Sequence, residues 1–233
     1  MRNLKKYSNH SGYEATPKEL DKNKVSICKS DGHTHYDKKV YSSEIEYLES
    51  TSGGKEYIDT EFMPNQDTRI VATMQCVTSN SYARLFGAGM YNAVGGVQLD
   101  YETGATGTLH ISYGPNTTWT TVTTVRGDYN THTYDYNKNE VYIDSVKVSD
   151  NTYASFQSTS NLRIFTYINN GTTPASTEYF IGRCYSFQIY DNGVLVRDLI
   201  PVRVKQVGYM YDKISKRLFG NSGMGEFALG PDI

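Results

Sequence analysis

The sequence has little cysteine, proline or tryptophan: its 233 residues contain three, six and one of them. An odd cysteine count (Cys28, Cys76 and Cys184) argues against an extracellular disulfide framework. No apolar run approaches the length of a membrane span, and the first twenty residues lack the apolar core of a secretory signal. We therefore expect synthesis in a reducing cytoplasm, no membrane insertion, and Cys76 and Cys184 buried as small hydrophobes.

An excess of charge of either sign is also missing. Lysine and arginine number 23 against 25 acidic residues, for a net charge of −2. A surface that binds phosphates needs clustered basic residues, and none of that density occurs. Nucleic acid is therefore excluded as the main partner.

Strand-forming residues are abundant instead, with 21 tyrosines and 8 phenylalanines, and 20 glycines are available for turns. From residue 44 onward, apolar side chains alternate with polar ones, as in residues 70–76, 109–113 and 185–189. Tyr185, Phe187 and Ile189 are expected on one face. Hairpin turns are predicted at residues 144–145 and 191–193. The pattern predicts an all-β antiparallel sandwich whose sheets each have one face in water.

Residues 1–43 differ from the remainder. Thr16-Pro17-Lys18-Glu19 predicts the start of a short helix, and a hairpin is expected around the turn Asp31-Gly32. Such a segment is too small to fold stably alone, so its apolar residues should dock on a partner or on copies of itself. These are Tyr13, Leu20, Val25, Ile27 and Tyr36. We predict two parts: an anchoring and oligomerising arm over 1–43, and the sandwich over 44–233.

Several blocks of the sandwich resemble the concanavalin A-like, or laminin-G-like, jelly-roll modules of gut bacteria and their phages. The blocks are EYLESTSGGKEYIDTEFMPNQDTRI at 46–70, FGAG at 86–89, CYSFQIYDNGVLVRDLIPVR at 184–203 and VGYMYDKISKRLFGNSGMGEFALGPDI at 207–233. They bracket about four-fifths of the chain. The resemblance implies a two-sheet jelly roll whose usual role is binding, often of carbohydrate.

The arm is similar to short N-terminal adapters on virion proteins of crAss-like gut bacteriophages. Tyr13, Leu20, Val25-Ser26 and His35-Tyr36-Asp37 carry this likeness. It implies a head fibre made in the host cytoplasm, attached to the major capsid or another virion protein, and exposed on the particle surface. Fibres are usually homotrimers, and a dimer stays open. The alternative is a bacterial carbohydrate-binding module unconnected with a virion.

One motif suggests catalysis. Glu44 and Glu46 alternate onto one face, as the paired carboxylates of glycosidases do. The motif departs from the Glu-x-Asp pattern of related glucanases and opens the domain rather than lying within a sheet. Solvated carboxylates at a strand edge are the preferred interpretation, so we expect no enzyme.

Metal and cofactor signals are weak. His33 and His35 would share one face of a strand, and in a trimer six such rings could hold a transition metal, but exposed histidines are the simpler interpretation. Asp100, Asp128 and Asp150 lie near predicted strand ends, as calcium ligands sometimes do, without a distinguishing spacing. We expect no metal site and no cofactor.

The remaining prediction is a recognition surface that combines aromatic and amide side chains. Such pairs suit sugar rings and also protein epitopes. For Trp119 the competing interpretation is core packing. The candidate ligand-binding residues are Trp119, Asn116, Tyr91, Asn92, Tyr167 and Asn169.

Overall fold

The computed structural model describes residues 25–30, 33–38, 40–51, 55–77, 83–89, 96–102, 108–115, 119–126, 129–169, 173–174 and 180–233. For residues 25–38, 83, 100–102, 119–126, 168–169 and 173–174 it describes the backbone only. The chain divides into two units, residues 1–42 and residues 43–233.

The described part of the first unit is an antiparallel hairpin. Strand β1 (Val25–Ser30) pairs with β2 (His33–Lys38), with Ile27 opposite Tyr36 and Cys28 opposite His35. The predicted hairpin is therefore present, while the predicted helix after Thr16 falls outside the described residues.

The second unit contains a smaller sheet of six antiparallel strands, in the order β10-β9-β8-β7-β14-β5. Their bounds are β5 Ile58–Asp59, β7 Ala83–Ala88, β8 Gly96–Glu102, β9 Thr108–Gly114, β10 Trp119–Arg126 and β14 Arg163–Ile164. Strand β14 joins this sheet from a distant part of the sequence, between β7 and β5.

A larger antiparallel sheet packs against it. Its main path runs β13-β12-β11-β6-β17-β18-β19-β20, and β3, β4 and β21 pair beside that path. The bounds are β3 Ser43–Glu44, β4 Leu48–Ser50, β6 Thr68–Cys76, β11 Thr131–Asn137, β12 Glu140–Ile143, β13 Val146–Asp150, β17 Gly182–Asp191, β18 Val194–Val204, β19 Val207–Asp212, β20 Arg217–Phe219 and β21 Ala228–Leu229. A separate pair, β15 (Ile168–Asn169) and β16 (Thr173–Pro174), completes the described strands.

The core lies between the two sheets. Rings from both meet there: Phe86 and Phe187 stand edge to face with centroids 5.4 Å apart, and Phe86 also contacts Tyr136. The hydroxyl of Tyr136 donates a hydrogen bond across the core to the carbonyl oxygen of Ser112. Burial raises the pKa of Tyr136 well above its usual range, so this hydroxyl stays a neutral donor. The predicted all-β antiparallel sandwich of two sheets is confirmed.

Alternation predicts most of the buried faces correctly. The even-numbered residues of β6 are buried while the odd-numbered ones are partly exposed. Cys76 and Cys184 are both buried free thiols, as expected. No helix among the described residues is long and apolar enough to cross a membrane.

The face predicted for Tyr185 is wrong. A β-bulge between Cys184 and Ser186 shifts the register of β17 against β6. The extra residue reverses the alternation, so Cys184 and Phe187 are buried, whereas Tyr185 lies on the outer face with its hydroxyl 2.8 Å from Gln75 Oε1.

Both predicted hairpin turns are present. Asp144 and Ser145 have φ of 48° and 69°, and Asn192 and Gly193 have φ of 47° and 79°. Positive φ at two consecutive central residues gives the backbone twist that suits a tight hairpin. Val146, directly after the first turn, is 65% exposed.

Candidate functional site

The smaller sheet carries a row of residues that crosses five of its strands. Asp59 pairs with Arg163, Arg163 with Gly87, Gly87 with Gln98, and Gln98 with Ser112. Residues directly opposite one another in neighbouring strands lie on the same face. Each has an apolar chain neighbour in the core, so the row faces away from the larger sheet; these neighbours are Ile58, Ile164, Phe86, Leu99 and Ile111. We call the five residues the polar row.

The polar row is buried, although an outer sheet face was expected to lie in water. Gln98 and Ser112 are 0% exposed, and Arg163 is 9% exposed. Arg84, three residues before Gly87 on the bulged strand β7, is 3% exposed. The expectation of one wet face per sheet is therefore wrong for these strands. Polar side chains are costly to bury unless they acquire hydrogen-bond partners, so a buried polar face is a candidate for function.

Arg163 is the least satisfied member of the row. Its Nη2 lies 3.5 Å from Asp59 Oδ2, beyond a normal hydrogen-bond length. Its Nε and Nη1 atoms are buried and have no hydrogen-bond partner. The guanidinium carbon stands 4.8 Å from the centre of the Tyr57 ring. One face of the cation is thus covered by an aromatic ring, while two of its three nitrogens form no hydrogen bond.

Asp59 is already engaged by other donors. Its Oδ1 accepts hydrogen bonds from Asn161 Nδ2 at 2.9 Å and from the backbone N of Glu61 at 2.9 Å. These bonds fix the carboxylate and leave only Oδ2 facing Arg163. We call Tyr57, Asp59, Asn161 and Arg163 the Arg163 cluster.

A second stacked pair lies beside the row. The guanidinium carbon of Arg84 stands 4.8 Å from the centre of the Tyr167 ring. A Cβ on Gly87 would come within 2.9 Å of the Tyr167 Cβ, so the absence of a side chain at residue 87 lets Tyr167 cross the sheet there. Tyr167 is 3% exposed, and we therefore do not include it in the solvent-facing part of the site.

The outer face of the larger sheet differs, because its charges pair with one another. Arg69 Nε and Nη2 donate to the two oxygens of Asp135 at 2.8 and 2.7 Å. Arg183 Nε donates to Glu49 Oε2 at 2.6 Å, and its Nη1 lies 3.3 Å from Gln75 Oε1. These two arginines therefore have carboxylate partners on their own sheet face, unlike Arg163.

The residues predicted to bind a ligand are described only in part. Asn116, Tyr91 and Asn92 fall outside the described residues. Trp119 and Asn169 are described by their backbone: Asn169 pairs with Thr173, and Trp119 pairs with Ser112, in register with the polar row. Whether these residues bind a ligand stays a prediction.

The arm predictions have a similar outcome. Tyr13 and Leu20 fall outside the described residues, whereas Val25, Ile27 and Tyr36 have backbone positions in β1 and β2. His33 pairs with Ser30 and His35 with Cys28, which places both histidines on β2 with one residue between them. Among residues whose side chains are described, no group of three or more His, Cys, Asp or Glu is arranged to hold a metal ion.

The carboxylates considered for catalysis lie elsewhere. Glu44 is in the two-residue strand β3, opposite Val202 at the margin of the larger sheet, and Glu46 is exposed just after it. Neither belongs to the sheet that carries the polar row.

Arg84, Gln98, Arg163 and Tyr57 were missed by sequence reasoning. Arg84, Gln98 and Arg163 occupy ordinary polar positions in strands and Tyr57 directly precedes β5, so their relation depends on which strands are neighbours. One local signal was available: Arg163 interrupts an apolar run between Leu162 and Ile164-Phe165. A cation in such a run is seldom buried without a partner.

No family model matches the chain, and no curated protein matches it by sequence. Among solved structures, it is similar to the native heptameric SAP-like pentraxin of Limulus polyphemus, with a TM-score of 0.42 and 9% identity. The superposition covers 66% of this chain and 77% of the pentraxin chain. A likeness of this degree carries no inference about function, and the proposals below depend on the residues of this chain.

Proposed function

We propose that this chain is a binding protein of a bacteriophage particle, in which residues 43–233 bind a glycan and residues 1–42 attach the chain to the capsid. The observation that carries the binding half is the Arg163 cluster, where a buried guanidinium with unbonded nitrogens lies against an aromatic ring. Sugars present hydroxyl oxygens around apolar ring faces, and that combination complements donors beside an aromatic side chain.

Solvent reaches the cluster at one end of the polar row. The side chains of Arg163 and Asp59 are 11% and 22% exposed, whereas Gln98 and Ser112 are 0% exposed. A ligand would therefore approach over β5 and β14. The fully buried residues Gln98 and Ser112 would stabilise the part of the sheet that lies behind the ligand.

The attachment half is supported by the division of the chain and by the likeness of its arm to virion adapters. The hairpin of β1 and β2 belongs to a separate unit, and an isolated two-stranded hairpin is marginal in water. Contact with another virion protein or with two further copies of the arm would stabilise this hairpin. We propose a homotrimer displayed on the particle surface.

A pair of matched variants tests the binding half. Tyr57 and Tyr190 each have an arginine over the ring, at 4.8 Å and 5.4 Å, but Tyr190 lies on the larger sheet. The full-length chain is applied to an array of host-surface and mucus glycans, and the best ligand is titrated by calorimetry. Tyr57→Leu should weaken binding about tenfold, or 1.4 kcal/mol, while Tyr190→Leu leaves it unchanged. Equal losses in both variants, or no binding by the parent chain, would refute glycan binding at this cluster.

A mass measurement tests the attachment half. Light scattering of the full chain should give about three times 26.2 kDa, and removal of residues 1–42 should give a monomer. The same truncation should abolish incorporation into particles. A full chain that is monomeric and an arm that is dispensable for incorporation would instead favour a carbohydrate-binding module without a virion role.

A further inference from the structure

Arg163 differs from the other described arginines in how little of its hydrogen-bonding capacity is used. A guanidinium has five N–H donors, of which Nε and Nη1 together carry three. In Arg163 both of these atoms are buried without a partner. By contrast, Arg69 and Arg203 each hold both oxygens of a carboxylate, Asp135 and Asp232.

The charge of Arg163 is also poorly balanced. Among the described residues, its ion-pair partner is Asp59, whose Oδ2 lies 3.5 Å from Nη2. The same carboxylate also accepts hydrogen bonds from Asn161 and Glu61, which fix its position. A cation removed from water is stabilised when an anionic oxygen reaches its N–H groups, and such charge-assisted bonds are about twice as strong as neutral ones. The Arg163 cluster is thus a cation site with an incomplete counter-charge.

Building on the proposed glycan binding, we propose that the ligand is an acidic glycan and that the guanidinium of Arg163 binds its anionic group, a carboxylate or a sulfate ester. Tyr57 holds the guanidinium plane from one side. Asp59 acts as an internal competitor, because its Oδ2 faces the cation that the ligand must engage.

This arrangement predicts opposite effects for two neighbouring substitutions. Arg163→Gln removes the cation and should abolish the preference for acidic glycans. Asp59→Asn keeps an oxygen for Asn161 and Glu61 but removes the competing charge, so it should tighten binding of the acidic form. A merely structural pair would respond to both substitutions in the same direction.

The experiment uses the full chain and glycan pairs that differ only in charge: sialylated and desialylated, sulfated and unsulfated, uronate and methyl ester. The parent chain should bind an acidic member at least tenfold more tightly than its neutral partner. Arg163→Gln should lose about tenfold on that acidic member and less than twofold on the neutral one. Asp59→Asn should bind the acidic member about twofold to fivefold more tightly than the parent chain does. The glycan pair with the largest difference in affinity shows whether the bound anionic group is a carboxylate or a sulfate ester.

Controls separate the possible failures. Arg69→Gln, on the opposite sheet and paired with Asp135, should change none of these affinities. Thermal unfolding checks each variant, and if Arg163→Gln does not fold, Arg163→Lys and Asp59→Asn decide the question. Glycan binding without an acidic preference, or a preference that Arg163→Gln leaves intact, overturns the inference and leaves the proposed function standing. Binding to no glycan overturns both the inference and the proposed glycan binding.

Discussion

Asp212 is a completely buried carboxylate that joins two parts of the larger sheet, and its replacement should be among the most damaging single substitutions. Its Oδ1 accepts hydrogen bonds from the backbone N of Asp198 at 2.9 Å and of Ile214 at 3.1 Å. Its Oδ2 accepts from Ser215 N at 3.2 Å and Ser215 Oγ at 2.6 Å. Arg197 Nε lies 3.8 Å from Oδ2.

The loss of stability depends on which hydrogen-bond donors can bond to water once the Asp212 carboxylate is removed. Ile214 and Ser215 are in an exposed turn and would rehydrate, whereas the Asp198 N–H lies within the sheet and the Arg197 side chain is only 19% exposed. Breaking a buried charge pair costs about 3–5 kcal/mol, and an orphaned donor about 1–3 kcal/mol. We expect Asp212→Ala to lower the free energy of unfolding by about 3–5 kcal/mol, and Asp212→Asn by about 2–3 kcal/mol, because the amide retains one acceptor oxygen.

Lowering the pH should reproduce part of this loss of stability, because it protonates the Asp212 carboxylate. Burial alone would raise the pKa of Asp212, but the hydrogen bonds from Asp198, Ser215 and Ile214 lower it below its usual value of 3.8. A group whose pKa is lower in the folded state contributes stability that is complete above its unfolded pKa. That contribution is lost as the pH falls through the lowered folded value.

Urea unfolding at pH 7 and between pH 5 and pH 2 measures both effects. Glu226→Gln, at an exposed position, is the matched control and should change stability by less than about 0.5 kcal/mol. The Asp212 variants should lose less stability than the parent chain as the pH falls. If Asp212→Ala lowers the free energy of unfolding by less than about 1 kcal/mol at pH 7, the hydrogen bonds from the turn and the contact with Arg197 do not stabilise the fold as argued.

Two further predictions concern the core. Tyr136→Phe removes the hydrogen bond to the Ser112 carbonyl and should cost about 0.5–1.5 kcal/mol in urea unfolding; an unchanged midpoint would mean that this cross-core bond contributes nothing net. Burial raises the pKa of the Cys184 thiol, and Cys76 is also buried, so in a Cys28→Ser background the native chain should leave both thiols unmodified by a thiol reagent until denaturant is added. Rapid native-state labelling of either thiol would contradict the burial.

Local features of this protein were predictable from neighbouring residues. The alternation in β6 depends only on the two-residue period of a strand, and the turn at Asn192-Gly193 depends on residues that tolerate positive φ. The hairpin of β1 and β2 was found for the same reason. In each case the signal and the structure it specifies lie within about ten residues.

The β-bulge in β17 was not predictable in this way. Tyr185, Phe187 and Ile189 form a regular alternation of apolar side chains, and that alternation does not mark an extra residue before Ser186. The bulge exists because β17 must match β6, and Tyr185 then finds Gln75 on the outer face.

The candidate site depended even more on long-range pairing. Arg163, Gly87 and Asp59 lie far apart in the sequence and become neighbours because β14 inserts between β7 and β5. Alternation over residues 109–113 correctly indicated that Ser112 would point away from the core, but it could not indicate that this face is also buried. The amino-acid order thus specified the strands, their turns and most inward faces, since those are local properties. The polar row and the unsatisfied Arg163 arose only from strand order and register, because hydrogen-bond satisfaction is a property of neighbours in space.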